Sequence, residues 1–504
     1  MKKFFSWSLL LIFALVLPPQ VAAAQSAKKI VDRHRKAIGD KAAKRVRSVL
    51  ISGSLKSADG SEGRFIYRAA SPDRLRIDIE TGALKVSECY NGKSAWRLDE
   101  RGLRTLLGAE AKRLRLESIL ANSRLRDLSR YRVTALLVIK ADVDGREANA
   151  IEFAKEGVRA KLFFDASNYL LIKQERETAA GLQEVFYGDY RAVDGVMEPF
   201  SIRIKNGEKE SLVTVDRVEH NRLTDQTAFR HPQIEGERPL PEIEPLIKAI
   251  VANQEKIDQL REHYTFRQTE IQNKLDGDGR VKETETKVYE VTPVADRFVR
   301  RLLSVDGKEL SESEREKEDR DVQKEVEKIL KRREKERMKE ERGEEEDEEI
   351  TILSFLRLVE ITSVRREVFR GQEVIAFDFE PRKDAKPKGR TESLVSKLAG
   401  TMWVDEDARQ IARLEARLMD SFKIAGGLFA SVAPSTAVAF EQEKISGELW
   451  LPSYAEANIF AKVFLFSKFN RSVVTRYGDY KKYRIDSEYE LNKPRENSKP
   501  DGLL

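Results

Sequence analysis

Gly63-Arg64-Phe65-Ile66-Tyr67-Arg68, followed shortly by Arg74-Leu75-Arg76-Ile77-Asp78-Ile79, sets the fold class. Apolar and charged side chains alternate with a period of two in both stretches, the pattern of antiparallel strands with one face buried and one wet. Similar runs follow at Val133 to Ala141, Ala150 to Ala154, Val158 to Phe164 and Phe200 to Lys205. Turn pairs that tolerate positive φ separate many of them: Asp59-Gly60, Asn91-Gly92, Asp144-Gly145, Asp194-Gly195, Asn206-Gly207, Asp276-Gly277 and Asp306-Gly307. Between the breaks in the chain, helices are read at Ala27–Ile38, Arg104–Ala121, Ile243–His263 and around Ser393–Leu398. The expectation is an α+β chain of antiparallel sheets with few helices.

The ends and breaks of the chain organise these strands. Lys2 and Lys3 precede an apolar run from Phe4 to Leu17, then Pro18 and Pro19, then Ala22-Ala23-Ala24. That order of charge, grease and small residues reads as a cleaved export signal over residues 1–24. The apolar run is shorter than the roughly 20 residues of a spanning helix. No cysteine stands at the cleavage point, so a lipid anchor is not expected, and the predicted location is the periplasm. Cys89 is the single cysteine, which rules out an intrachain disulfide; it reads as a small apolar residue beside a strand end.

The remaining 480 residues exceed what one core usually supports. Proline-rich residues 232–245 read as a linker, and 308–349, almost wholly charged, as an insertion. The predicted plan is a first domain at 25–231, a second at 246–491 carrying the insertion, and a flexible tail at 492–504. The halves also repeat in order. Ala150-Ile151-Glu152-Phe153 answers to Val374-Ile375-Ala376-Phe377, and Asp194 to Pro199 answers to Ser446 to Pro452. A duplicated domain follows.

Lys and Arg total 92 against 86 Asp and Glu, a net +6 that falls to +4 without Lys2 and Lys3. So small an excess does not point to nucleic acid. His34, His220, His231 and His263 lack zinc-site spacing, and HExxH, GxSxG, Walker A and GxGxxG are all missing. Asp276-Gly277-Asp278-Gly279 fits a hairpin better than a calcium loop, because Arg280 and Lys287 stand where oxygen ligands are needed. The reading is a non-catalytic protein without metal or cofactor. Glu312 to Arg342 reads as a solvated helix with a thin stripe of Val322, Val326, Ile329 and Leu330, Gly343 to Glu349 as a solvated acidic run, and Ile350 to Val359 as an apolar helix.

The first half resembles the outer-membrane lipoprotein-sorting family, the LolA/LolB-like carriers. The resemblance lies in the helix ending near Gly39, Pro72-Asp73-Arg74-Leu75-Arg76, Tyr90-Asn91-Gly92-Lys93-Ser94-Ala95-Trp96, Tyr187-Gly188-Asp189-Tyr190-Arg191 and Asp194 to Phe200. It covers Ser26 to about Phe229 well and Ile243 to Leu491 in outline. It implies two tandem curved antiparallel sheets, unclosed half-barrels covered by helices, that hold acyl chains of lipids or lipoproteins. The duplication and the charged insertion depart from the single-domain carriers. Candidate lining residues at alternating positions are Phe65, Tyr67, Leu75, Ile77, Ile79, Trp96 and Leu98, with Trp403, Trp450 and Phe460 in the second half. Two other functions remain open: an envelope-stress regulator of the RseB type that grips an envelope protein through 308–349, and a structural pair of filled β-domains.

Overall fold

The computed structural model describes residues 19–482 except 83, 179–180, 224, 233–237, 262, 277–280, 296, 341–354, 356, 425–429, 435, 446–448 and 464–466. The leader through Pro18, most of the expected hairpin turn within 276–279, the acidic run 343–349, residues 446–448 and the tail from 492 lie outside the described residues. The chain divides into two compact units, Met1–Gln233 and Ile234–Leu504.

The first unit begins with α1 (Pro19–Ala37) and the single turn α2 (Asp40–Ala43). Helix α1 is already formed at Pro19, the first described residue. It stops at Gly39, whose φ of +87° suits only glycine, and a Cβ there would lie 2.2 Å from the Gly195 carbonyl oxygen. The Met197 N–H donates to the Ile38 carbonyl, so the helix end is pinned to the Asp194-Gly195 turn.

Thirteen antiparallel strands follow: β1 (Ser48–Lys56), β2 (Glu62–Ala70), β3 (Arg74–Thr81), β4 (Leu84–Tyr90), β5 (Ala95–Asp99), β6 (Gly102–Leu106), β7 (Thr134–Val143), β8 (Arg146–Lys155), β9 (Val158–Asp165), β10 (Leu171–Thr178), β11 (Gly181–Val193), β12 (Val196–Asn206) and β13 (Lys209–His220). They form one sheet in the order 6-5-4-3-2-1-13-12-11-10-9-8-7, with β6 and β7 as open edges.

Helix α3 (Gly108–Ser123) packs on β2 to β5 from one limb of this sheet and on β8 and β9 from the other. In a flat sheet β3 and β9 would lie about 34 Å apart, seven strand spacings of about 4.8 Å. A helix is about 10–12 Å across, and the 16 residues of α3 reach only about 24 Å end to end. The sheet therefore curls around α3.

Arg104–Ala121 does not form one helix. Asp99 accepts hydrogen bonds from both Arg104 guanidinium nitrogens at 2.6 and 2.7 Å, closing the β5–β6 hairpin, so Gly102–Leu106 is a strand and the helix begins at Gly108.

The second sheet repeats this topology. Its order is Lys308–Glu309, Arg297–Val305, Val281–Val294, Tyr264–Leu275, Ser467–Lys482, Leu449–Val463, Ala437–Ile445, Gln410–Leu418, Leu398–Asp405, Gln372–Pro381 and Val359–Phe369. As in the first unit, the earliest strand pairs with the last, and the two limbs run outward from that seam. Helix α4 (Ile243–Arg261) rests on one face through Leu246, Ile247 and Ile250 against Ile375, Phe377, Met402 and Val404. In place of the β5–β6 hairpin stands α5 (Glu312–Glu340). It leans on Arg297–Val305: Arg301 pairs with Asp319 at 2.6 Å, and the Leu302 N–H donates to Glu318 at 2.7 Å. Ile329 is buried on this helix while Leu330, expected beside it in the stripe, is exposed. Near the expected helices, Val359 opens a strand and Gly389–Val395 is helical, with Leu398 already in the next strand.

Candidate ligand-binding cavity

Strand registration decides which residues share the concave face of the first sheet. Tyr67 pairs with Ile77, Ile77 with Glu88, Glu88 with Arg97 and Arg97 with Arg104, so these five form one row on one face. The neighbouring row, Arg76, Cys89 and Trp96, points the other way. A cavity of about 760 Å³ lies between the concave face and helices α1 and α3. That is within the roughly 300–1,000 Å³ of typical ligand pockets. Its floor is apolar, from Leu55, Phe65, Ile79, Val185 and Ile202 among others, side chains of a core cluster whose buried residues also include Val213 and Val215.

Five of the expected residues line this space: Phe65, Tyr67, Leu75, Ile77 and Ile79. Trp96 and Leu98 do not. Trp96 is fully buried on the convex side, where its indole N–H donates to the Phe229 carbonyl at 3.2 Å and Arg76 lies 5.2 Å over its ring. Cys89 shares that carbonyl as acceptor at 3.4 Å, and burial pushes its thiol pKa up. The turn Gln226–Phe229 thus supplies a second, convex core that alternation alone does not reveal.

In the second unit, Trp403 alternates with Met402 and Val404, which pack on α4, so it faces away from α4 and donates to Glu367 at 3.0 Å. Phe460 shares that opposite face, being in phase with Tyr454 in the row through Glu441, Arg413 and Trp403. Trp450 alone of the three sits with the α4 residue Ile257 in a buried cluster.

Above the apolar floor runs a continuous polar chain. Asp99 holds Arg97 at 2.8 Å, Arg97 holds Glu88 at 3.0 Å, and Glu88 meets Arg113 of α3 at 3.4 Å. Arg113 pairs with Glu117 at 2.7 Å, Glu117 with Arg176 of β10, and Arg176 donates to Gln183 at 2.6 Å. Gln183 completes the chain to Asn206 at 2.8 Å. The two limbs of the sheet are thereby tied to each other through α3. Burial opposes the charge on Arg113, but Glu117 and Glu88 outweigh it and raise its pKa. None of this chain was visible in the sequence, because its members lie on separate elements up to 59 residues apart within one contact.

Further along the cavity, Glu198 receives Arg124 at 2.7 Å and lies 2.9 Å from His220 Nε2. Burial favours its neutral form, yet His220 and Arg124 hold its pKa below the ordinary value. Tyr187 and Tyr190 donate to Gln174 at 3.2 Å and to the Leu171 carbonyl at 2.6 Å. Burial pushes Tyr187 up to about 12.

His34 of α1 completes the wall, with Nδ1 2.9 Å from the Tyr169 carbonyl oxygen. Burial lowers its pKa to about 4, against about 6.5 in an unfolded chain. The unfolded chain therefore takes up the proton first, so stability is flat above about pH 6.5 and falls between about 6.5 and 4. The expected loss is about 3 kcal/mol. Urea unfolding at several pH values should show this limb flattened in His34→Gln; the full slope persisting in that variant would acquit His34.

Among the described residues, no group of three or more His, Cys, Asp or Glu side chains could hold a metal ion, and no helix is long and apolar enough to cross a membrane.

No family model and no curated protein matches the sequence. Solved structures do resemble it. A LolA superfamily protein from Nitrosomonas europaea is 16% identical over 42% of this chain and 98% of its own, with a TM-score of 0.30. A putative outer membrane lipoprotein-sorting domain from Vibrio parahaemolyticus is 12% identical over 42% of this chain and 97% of its own, at 0.28. One chain of the MucA/MucB complex structure of Pseudomonas aeruginosa is 8% identical over 91% of this chain and 99% of its own, with a TM-score of 0.18.

Proposed function

We propose that the protein is a non-catalytic binding protein of the cell envelope, exported to the periplasm by its cleaved leader. Its first unit holds an acyl chain of a lipid or lipid-modified protein between the curled sheet and helices α1 and α3. The supporting observation is the cavity of about 760 Å³, whose apolar floor is left unfilled by the protein's own side chains. Acyl surface leaving water gains about 25 cal/mol per Å². Native mass spectrometry of gently purified protein should show bound lipid, and a fluorescent fatty acid should be taken up. Ile77→Trp, which fills the cavity, should weaken that uptake at least about ten-fold, the equivalent of about 1.4 kcal/mol. A protein that neither carries nor takes up acyl chains would remove this function.

A regulatory interaction of the RseB type is the second reading, favoured by α5. That helix presents charged side chains to solvent along most of its 29 residues. Recovery of one stoichiometric envelope protein with the full chain, and its loss on deleting 308–349, would favour it. Solidly filled β-domains, the third expectation, do not fit the cavity in the first unit.

A further inference from the structure

The polar chain across the cavity is unbalanced in charge. Arg97, Arg101, Arg113 and Arg176 line the space, against Glu88, Glu110 and Glu117. Behind them Asp99 is shared by Arg97, Arg101 and Arg104, which adds one carboxylate and one further guanidinium to the count. Five guanidiniums thus stand against four carboxylates at this end of the cavity; Arg101 reaches solvent at 68% exposure, while Arg97, Arg113 and Arg176 are 30% exposed or less. The apolar floor begins directly beside them. Ile79 pairs with Val86 on the same strands that carry Ile77 and Glu88, two residues along, which is about 7 Å of strand. A molecule with its tail on Ile79 and Val86 places its head among Arg97, Arg113 and Arg176.

From this juxtaposition we infer that the cavity selects amphiphiles with an anionic head, a carboxylate or a phosphate ester, over neutral ones of the same chain length. The inference rests on the acyl-binding reading and adds the chemistry of the head. Planar guanidiniums match carboxylate and phosphate oxygens two at a time, which neutral hydroxyl heads cannot exploit.

The test uses the full-length mature protein and displacement of a fluorescent fatty acid. Two matched pairs serve as competitors: palmitate against hexadecanol, and 1-palmitoyl-lysophosphatidate against monopalmitoylglycerol. The anionic member of at least one pair should bind about ten-fold tighter or more, and the pair with the larger ratio tells carboxylate from phosphate. Arg176→Gln, which leaves Glu117 paired with Arg113, should shrink the ratio several-fold. Glu88→Gln, which leaves Arg97 with Asp99 and Arg113 with Glu117, should enlarge it. Melting curves report whether each variant is folded, and opposite responses of the two variants exclude a general loss of structure. Equal binding of charged and neutral members would overturn the anionic preference and leave the carrier function standing. Failure of the probe itself to bind would overturn both.

Discussion

Arg113→Ala is expected to destabilise the first unit by about 3–5 kcal/mol. The side chain of Arg113 is only 8% exposed and that of Glu117 only 5%. Removing the guanidinium leaves Glu117 with Arg176 alone and Glu88 with Arg97 alone, both carboxylates still enclosed beneath α3. The loss comes from two enclosed carboxylates that each give up one of their two arginine partners. It also cuts the polar chain at its middle, where α3 joins the two limbs. Lys85→Ala supplies the contrast, because the Lys85–Glu80 pair is solvent-exposed and its removal should leave the unfolding midpoint unchanged. Equilibrium unfolding in urea measures both. A loss below about 1 kcal/mol for Arg113→Ala would show that the carboxylates relax into water.

Trp96→Ala should cost a similar about 3–5 kcal/mol, for a different reason. Trp96 is wholly buried, and its replacement opens a hole between β5 and the Gln226–Phe229 turn. It also leaves the Phe229 carbonyl with Cys89 as a weak donor. Because the indole lies on the convex side, acyl uptake by the protein that remains folded should match the unsubstituted chain. Urea unfolding and fatty-acid titration below the transition separate the two effects. Uptake that falls in step with Ile77→Trp would place the indole functionally inside the cavity and refute the registration given above.

These two residues also mark how far the sequence could be read. Alternation and turn chemistry identified the strands: Asp144-Gly145 and Asp194-Gly195 both take positive φ at the expected hairpins. Within β2 and β3 the phase was legible as well, since Phe65, Tyr67, Leu75, Ile77 and Ile79 all reach the cavity. The phase of β5 was not. Tyr90 pairs with Ala95 across Asn91 to Ser94, and that register turns Arg97 inward and Trp96 outward. An apolar indole and a charged guanidinium at adjacent positions suggest the opposite assignment, because sequence cannot show that a distant turn covers the convex face. In the second unit Trp403 likewise faces away from α4, because Met402 and Val404 on either side of it pack on that helix. The arginine–glutamate chain was beyond reach for a simpler reason. In a sequence with charges at 35% of positions, no pair stands out until folding brings β4, β5, β10 and α3 together.

The seam in each sheet has a consequence for how the chain comes to be folded. Val49 is registered against His220 and Tyr264 against Lys482, so each half keeps its central pairing open until its final strand has been supplied. Contacts of such long sequence separation form slowly. A nascent polypeptide therefore stays threadable through most of its length. Each half acquires its curl only when its own last hairpin arrives to lock the first strand in place.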